Sequence, residues 1–132
     1  MIQAHAASYH AIHALQPQAR VGMAINYRSL VPAKPWFPPD HWLARMFSGI
    51  FNDTLPRAAQ DGILRLPGRR IRLPQVKGTQ DFIGFNYYTR NTLAFSLHKS
   101  RELFARLSYR PEAVKSFTGF LANEPDGMFE GL

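Results

Sequence analysis

Phe82-Ile83-Gly84-Phe85 is a short apolar run led in by Asp81 and preceded by the turn signal Lys77-Gly78. It is too short for a helix and reads as a strand buried in a parallel sheet. Its far end, Asn86-Tyr87-Tyr88-Thr89, is polar and aromatic. In barrels of alternating strands and helices the carboxyl ends of strands line the site of chemistry, so Asn86 and Tyr88 are the first residues to consider. A plainer arrangement has Asn86 capping a turn and both tyrosines only packing.

Length limits what such a strand can belong to. The chain has 132 residues, enough for one domain with a core but far short of the roughly 250 of a complete eight-stranded barrel. A hydrophobic content of 45% fits a folded protein, and no apolar run approaches the roughly 18 residues of a membrane span. Met1-Ile2-Gln3-Ala4-His5 lacks the basic and continuous apolar regions of a signal peptide. The expectation is a cytoplasmic chain or an internal piece of a larger one, with no membrane partner. The absence of cysteine excludes disulfides, a thiolate nucleophile and cysteine-ligated zinc.

A formal charge of +7 makes nucleic acid the first partner to weigh. The densest basic cluster is Arg65, Arg69, Arg70, Arg72 and Lys77, punctuated by Pro67-Gly68 and Pro74. No aromatic is interleaved there for base stacking and no recognised binding motif accompanies it. The cluster reads as a solvated loop, and no nucleic-acid partner is expected.

Ile2 to Gln16 predicts a helix that stops before Pro17, with Ile2, Ala6, Tyr9 and His13 on one face. His10 and His13 stand three apart, but the helix has no carboxylate to complete a metal site, so neither metal nor cofactor is expected. Arg20 to Asn26 reads as a second buried strand with a polar end, where Asn26 is either a site residue or a turn former. Pro32, Pro35, Pro38 and Pro39 interrupt regular structure around Trp36-Phe37. Asp40 can then cap a helix from about His41, with Trp42, Leu43, Met46, Phe47 and Ile50 as its apolar stripe. Thr54 to Lys77 reads as loop. Leu97, Arg101, Phe104 and Leu107 suggest a helix within 93–107.

The run from Asp81 to Thr89 resembles the sixth barrel strand of glycoside hydrolase family 1, the β-glucosidase family. That strand carries Asp-Phe, an aliphatic residue, Gly, any residue, then Asn-Tyr-Tyr. Ala4-His5-Ala6-Ala7-Ser8-Tyr9 is similar to the family's fourth barrel helix, Arg20 to Asn26 to its fifth strand, and His41 to Ile50 to its fifth helix. Phe51-Asn52-Asp53 resembles the element that follows, and Glu130-Gly131-Leu132 the opening of the sixth helix. The resemblance implies an α/β fold, a partial (β/α)8 TIM barrel from about barrel helix 4 to the start of helix 6. Residues 1–132 would be a fragment of that single domain. It also implies an irregular or hairpin segment after Thr89. Tyr88 would donate a hydrogen bond to the nucleophilic glutamate, Asn86 would floor the sugar site, and Asn26 would face the aglycone side. Trp36, in the rim loop, would stack on a sugar face or plug the loop.

Retaining glycoside hydrolysis needs two carboxyl groups about 5 Å apart. The resemblance starts just after the strand bearing the acid/base and ends just before the strand bearing the nucleophile, and no Glu-Asn-Gly occurs in the chain. Asn123-Glu124-Pro125 matches the family's acid/base tripeptide but follows the Asn-Tyr-Tyr strand instead of preceding the Ala-His helix. Glu124 therefore reads as a decoy in a surface loop. Asp81, at the amino end of its strand, is expected to hold backbone or an arginine. Taken together, the resemblance implies a fragment of a β-glucosidase-like hydrolase of O-glycosyl bonds in carbohydrate metabolism. Such a fragment would be inactive alone, with a β-glucoside-type sugar as partner of the full-length parent and complementing fragments as further partners. The alternatives are a non-catalytic carbohydrate-binding remnant and a small basic nucleic-acid-binding protein.

Overall fold

A computed structural model describes residues 1–119 and 121–131, the side chain of Glu130 excepted. The helices are α1 (Ile2–Leu15), α2 (Pro38–Ser48) and α3 (Thr54–Asp61), the last two joined by a π-helical stretch, Gly49–Asp53. The strands are β1 (Gly22–Pro32), β2 (Ile63–Leu66), β3 (Arg69–Arg72), β4 (Phe82–Phe95) and β5 (Ala105–Ser108). They form one sheet in the order β1-β4-β5 and a separate β2-β3 hairpin. The chain divides into two compact units: Met1–Asn26 with Asn52–Asn86, and Tyr27–Phe51 with the chain from Tyr87 onward.

The first unit is built on α1 and α3. Ile2, Ala6, Ala58, Ala59 and Val76 form its buried core, with Met23, Leu55, Leu64 and Leu73 around them. The predicted face of α1 is the one that is used, since Ile2 and Ala6 are buried and Tyr9 and His13 half-buried. The loop expected over 54–77 is instead a helix, a hairpin and a short 3₁₀ turn, Pro74–Val76. Its prolines sit where regular structure accepts them. Pro56 lies in the first turn of α3, where its missing N–H leaves nothing unpaired. Gly62, at φ 75°, closes that helix by donating to the Ala58 carbonyl at 2.9 Å. Pro67-Gly68 forms the two-residue turn between the paired Leu66 and Arg69, with Gly68 at φ 70° in the left-handed position such turns require. The arginine cluster is thus registered in a hairpin, with Arg65 opposite Arg70 and held by Asp61 at 2.7 Å.

Strands β1 and β4 begin side by side in this unit. The Asp81 N–H donates to the Val21 carbonyl at 2.8 Å, and Gly84 lies against Ala24. Gly22 approaches the Phe82 carbonyl so closely that a side chain there would collide with it. Burial of Phe82–Phe85 is shallower than expected, with Phe82 47% exposed and its three successors half-buried. Over that stretch β4 has β1 on one side only among the described residues, and its buried part is Thr89–Leu93.

In the second unit Leu43, Ala44, Leu93 and Ala105 form the core, flanked by Leu30, Met46, Phe47 and Phe95. Strand β1 does not stop at Asn26 but runs to Pro32, because Tyr27 and Ser29 continue the alternation of buried positions begun at Ile25. The Ala33 N–H donates to the Leu93 carbonyl at 2.8 Å, and since residue numbers rise together from the Val21–Asp81 bond to the Ala33–Leu93 bond, the two strands are parallel. Helix α2 starts at Pro38 rather than near His41, with both prolines in its first turn. Asp40 is therefore not the cap. It lies inside the first turn, almost fully buried, and its carboxylate accepts from the Lys34 N–H at 3.0 Å and the Phe95 N–H at 2.7 Å. The expected stripe holds for Leu43, Met46, Phe47 and Ile50 but not for Trp42, which is exposed.

The helix expected within 93–107 is a hairpin: β4 runs on to Phe95 and pairs with β5 antiparallel, from Thr92↔Ser108 to Phe95↔Ala105. Between them a 3₁₀ turn, Leu97–Glu102, leads into Leu103 and Phe104, both left-handed at φ 56° and 61°. Phe104 stacks on Phe95, with ring centroids 5.8 Å apart. A hairpin is one of the two forms, irregular or hairpin, that the family resemblance implies after Thr89. An isolated antiparallel bridge links Lys115 and Ala122; Phe120 lies outside the described residues. Leu132, the last residue of the segment compared with the sixth helix, lies outside them too.

Candidate functional site

Asn26 and Asn86 come together within the first unit. Two residues on from the Ala24–Gly84 contact, the parallel register sets Asn26 beside Asn86 on the same face of the sheet. Both are exposed and both lie inside strands, so neither serves as a turn former. Tyr88, two residues further along β4, shares the alternation of Asn86 and is 58% exposed. Tyr87 follows the opposite alternation, and its hydroxyl donates to the carbonyl of Glu124. In the second unit Trp36 is 75% exposed and tilted against Phe37, with the Lys34 ammonium 5.6 Å from its ring centroid. It does not plug its loop.

Glu124 is not a surface residue. Its side chain is 9% exposed and one carboxylate oxygen lies 3.3 Å from the guanidinium of the buried Arg90 and 3.9 Å from that of Arg110. The segment that carries it is strapped to β4, since Thr89 Oγ1 accepts from the Ala122 N–H and donates to the Ala122 carbonyl. Sequence reasoning missed Arg90 as the counter-charge. The available signal was a lone arginine next to Tyr-Tyr-Thr in a strand that continues as Asn91-Thr92-Leu93.

Asp81 holds backbone, as its position suggested. Its carboxylate accepts from the Val21 N–H at 2.8 Å and the Tyr9 hydroxyl at 2.9 Å, with His13 Nε2 at 3.5 Å. The Val21 hydrogen bond, then Tyr9, His13 and Arg20, hold its pKa below the ordinary aspartate value. The hydrogen bond that the Tyr9 hydroxyl donates to Asp81 raises the Tyr9 phenol above its usual value. The other helix histidines meet backbone carbonyls, His5 at Thr79 and His10 at Gln75. Among the described residues no three His, Asp or Glu side chains are grouped to hold a metal ion. No helix among them is long and apolar enough to cross a membrane.

The fold is α/β and matches part of the TIM barrel of β-glucosidases. A β-glycosidase from Pyrococcus horikoshii superimposes with a TM-score of 0.80 and 24% identity over 98% of this chain and 29% of its own. The rice β-glucosidase Os3BGlu6, solved as a mutant in covalent complex with Glc, gives 0.78 and 18% over 98% and 32%. At these identities the likeness is one of fold, and the chain spans about a third of the length of either enzyme. No protein-family model and no curated protein sequence matches the chain.

Proposed function

We propose that the chain is an internal part of a retaining β-glucosidase-like glycoside hydrolase of family 1, one stretch of a single barrel domain running from the helix after the acid/base strand to the start of the sixth helix. The observation that carries this reading is the superposition of 98% of the chain on less than a third of a β-glycosidase. The Asp81-to-Tyr88 pattern in β4 supports it. In this reading Asn86 floors the sugar site, Asn26 beside it faces the aglycone side, and Trp36 stacks on a sugar ring. Tyr88 donates a hydrogen bond to a nucleophilic glutamate that the rest of the protein supplies. A phenol orients and tunes a carboxylate but does not replace it, and the reaction needs two carboxyl groups about 5 Å apart. The same proposal keeps the protein cytoplasmic, with which its lack of cysteine is compatible.

The isolated chain is expected to hydrolyse no aryl β-glucoside above background. Turnover abolished by Glu124→Gln would overturn this and make Glu124 the acid/base. Co-expression with segments carrying the remaining barrel strands is expected to restore turnover, which Tyr88→Phe then lowers about tenfold. A second reading, a non-catalytic remnant that still holds sugar, is favoured by the exposure of Trp36 and Tyr88. It predicts saturable shifts of tryptophan fluorescence with glucose or cellobiose in the millimolar range. The basic nucleic-acid-binding alternative is weaker, because Arg65 is already bound to Asp61.

A further inference from the structure

A cleft of about 320 Å³ opens in the second unit, walled by Leu30, Phe47, Phe51, Leu93 and Leu107. Its volume lies in the range of small-molecule pockets and its walls are apolar. Three charged side chains reach it: Arg28, Arg101 and Glu102. Glu102 is neutralised by Lys99 at 2.8 Å, and the Arg28 guanidinium lies 5.2 Å from the centre of the Phe51 ring. The rim is therefore net positive, with Arg101 exposed on it.

Leu103 is the second observation. It lines the same cleft, 54% exposed, in a left-handed conformation (φ 56°) that glycine adopts without penalty and leucine does not. Its neighbour Phe104 is equally left-handed but is compensated by stacking on Phe95. What Leu103 contributes in place of a glycine is a wall of the cleft. Backbone held in this region is found at ligand clamps.

We propose that this cleft binds a small amphiphilic carboxylate, with its aryl or alkyl body against Phe47, Phe51 and Leu93 and its carboxylate at Arg101. None of these residues belongs to the sugar reading above, so the two stand or fall separately. Fluorine NMR with para-trifluoromethylbenzoate and para-trifluoromethylbenzyl alcohol tests it on the full chain. The benzoate is expected to bind saturably at one site, about tenfold tighter than the alcohol. Arg101→Gln should erase that preference and leave alcohol binding intact. Leu103→Gly should weaken both probes while raising the melting temperature, a pairing that a purely structural role does not produce. Absent or unsaturable binding, equal affinity for the two probes, or an unchanged preference in Arg101→Gln would overturn the proposal. So would probe binding that weakens as protein concentration rises, which would assign the cleft to a second copy of the chain.

Discussion

Asp81 and Glu124 each fasten a distant segment to β4, the first at the strand's leading end in one unit and the second past its middle in the other. Asp81 faces solvent and accepts two well-directed hydrogen bonds, from the Val21 N–H and the Tyr9 hydroxyl. Glu124 is buried, its carboxylate oxygens accept no hydrogen bond among the described residues, and it is held by proximity to Arg90 and Arg110. The contrast shows how setting outweighs contact count. An exposed carboxylate with directional bonds contributes modestly and reversibly, whereas a buried ion pair contributes little by existing and costs heavily when half of it is removed.

Breaking the buried pair should give the largest effect. Arg90→Met leaves the buried Glu124 carboxylate with only the distant, half-exposed Arg110 as counter-charge and is expected to cost about 3 kcal/mol in urea unfolding. The double change Arg90→Met with Glu124→Gln should recover most of that loss. A double variant as unstable as the single one would show that packing of the arginine stem, not charge, holds the strap. Arg110→Gln tests the outer partner. Its side chain is 42% exposed and its guanidinium 3.9 Å from the carboxylate, so the expected loss is under about 1 kcal/mol.

The exposed tie should show its smaller effect only as a pH slope. The folded-state pKa of Asp81 lies below its ordinary 3.8, so its contribution is present above that pH and is lost as pH falls through the folded value. Asp81→Asn should flatten the acid limb of a melting-temperature profile and, because the Asp81 carboxylate is also what chiefly raises Tyr9, the alkaline limb with it. Tyr9 runs the other way. Its folded-state pKa lies above the ordinary 10.0, so its contribution is complete below that pH and disappears as pH rises through the folded value. Tyr9→Phe should therefore flatten the alkaline limb.

How legible the molecule was in its sequence depended on how local the determining physics is. The α1 helix, its used face and its end before Pro17 follow from spacing and one proline, and all appear as expected. The fold class followed from the Asp-Phe-Ile-Gly-Phe-Asn-Tyr-Tyr stretch. By contrast, Pro38, Pro39, Pro56 and Pro67 suggested irregular chain, yet each occupies a first helical turn or a tight hairpin turn where a missing N–H costs nothing. Leu97, Phe104 and Leu107 have helical spacing, but the strand that continues through Thr92 to Phe95 pairs with Ala105–Ser108 first. Among the site residues, the pairing of Asn26 with Asn86 needed the parallel register, which spacing along one strand does not contain. Arg90 and Glu124 are far apart in sequence, and a lone arginine inside a strand signals a buried counter-charge without saying which carboxylate supplies it.

The order in which the chain visits its two units has a consequence for anyone dissecting it. The chain passes between them three times, changing over after Asn26, Phe51 and Asn86. No contiguous piece of polypeptide therefore contains one unit without a passage of the other. Domain-by-domain expression is closed to this protein. Limited proteolysis should yield either the intact chain or fragments that lose structure together, not a stable half.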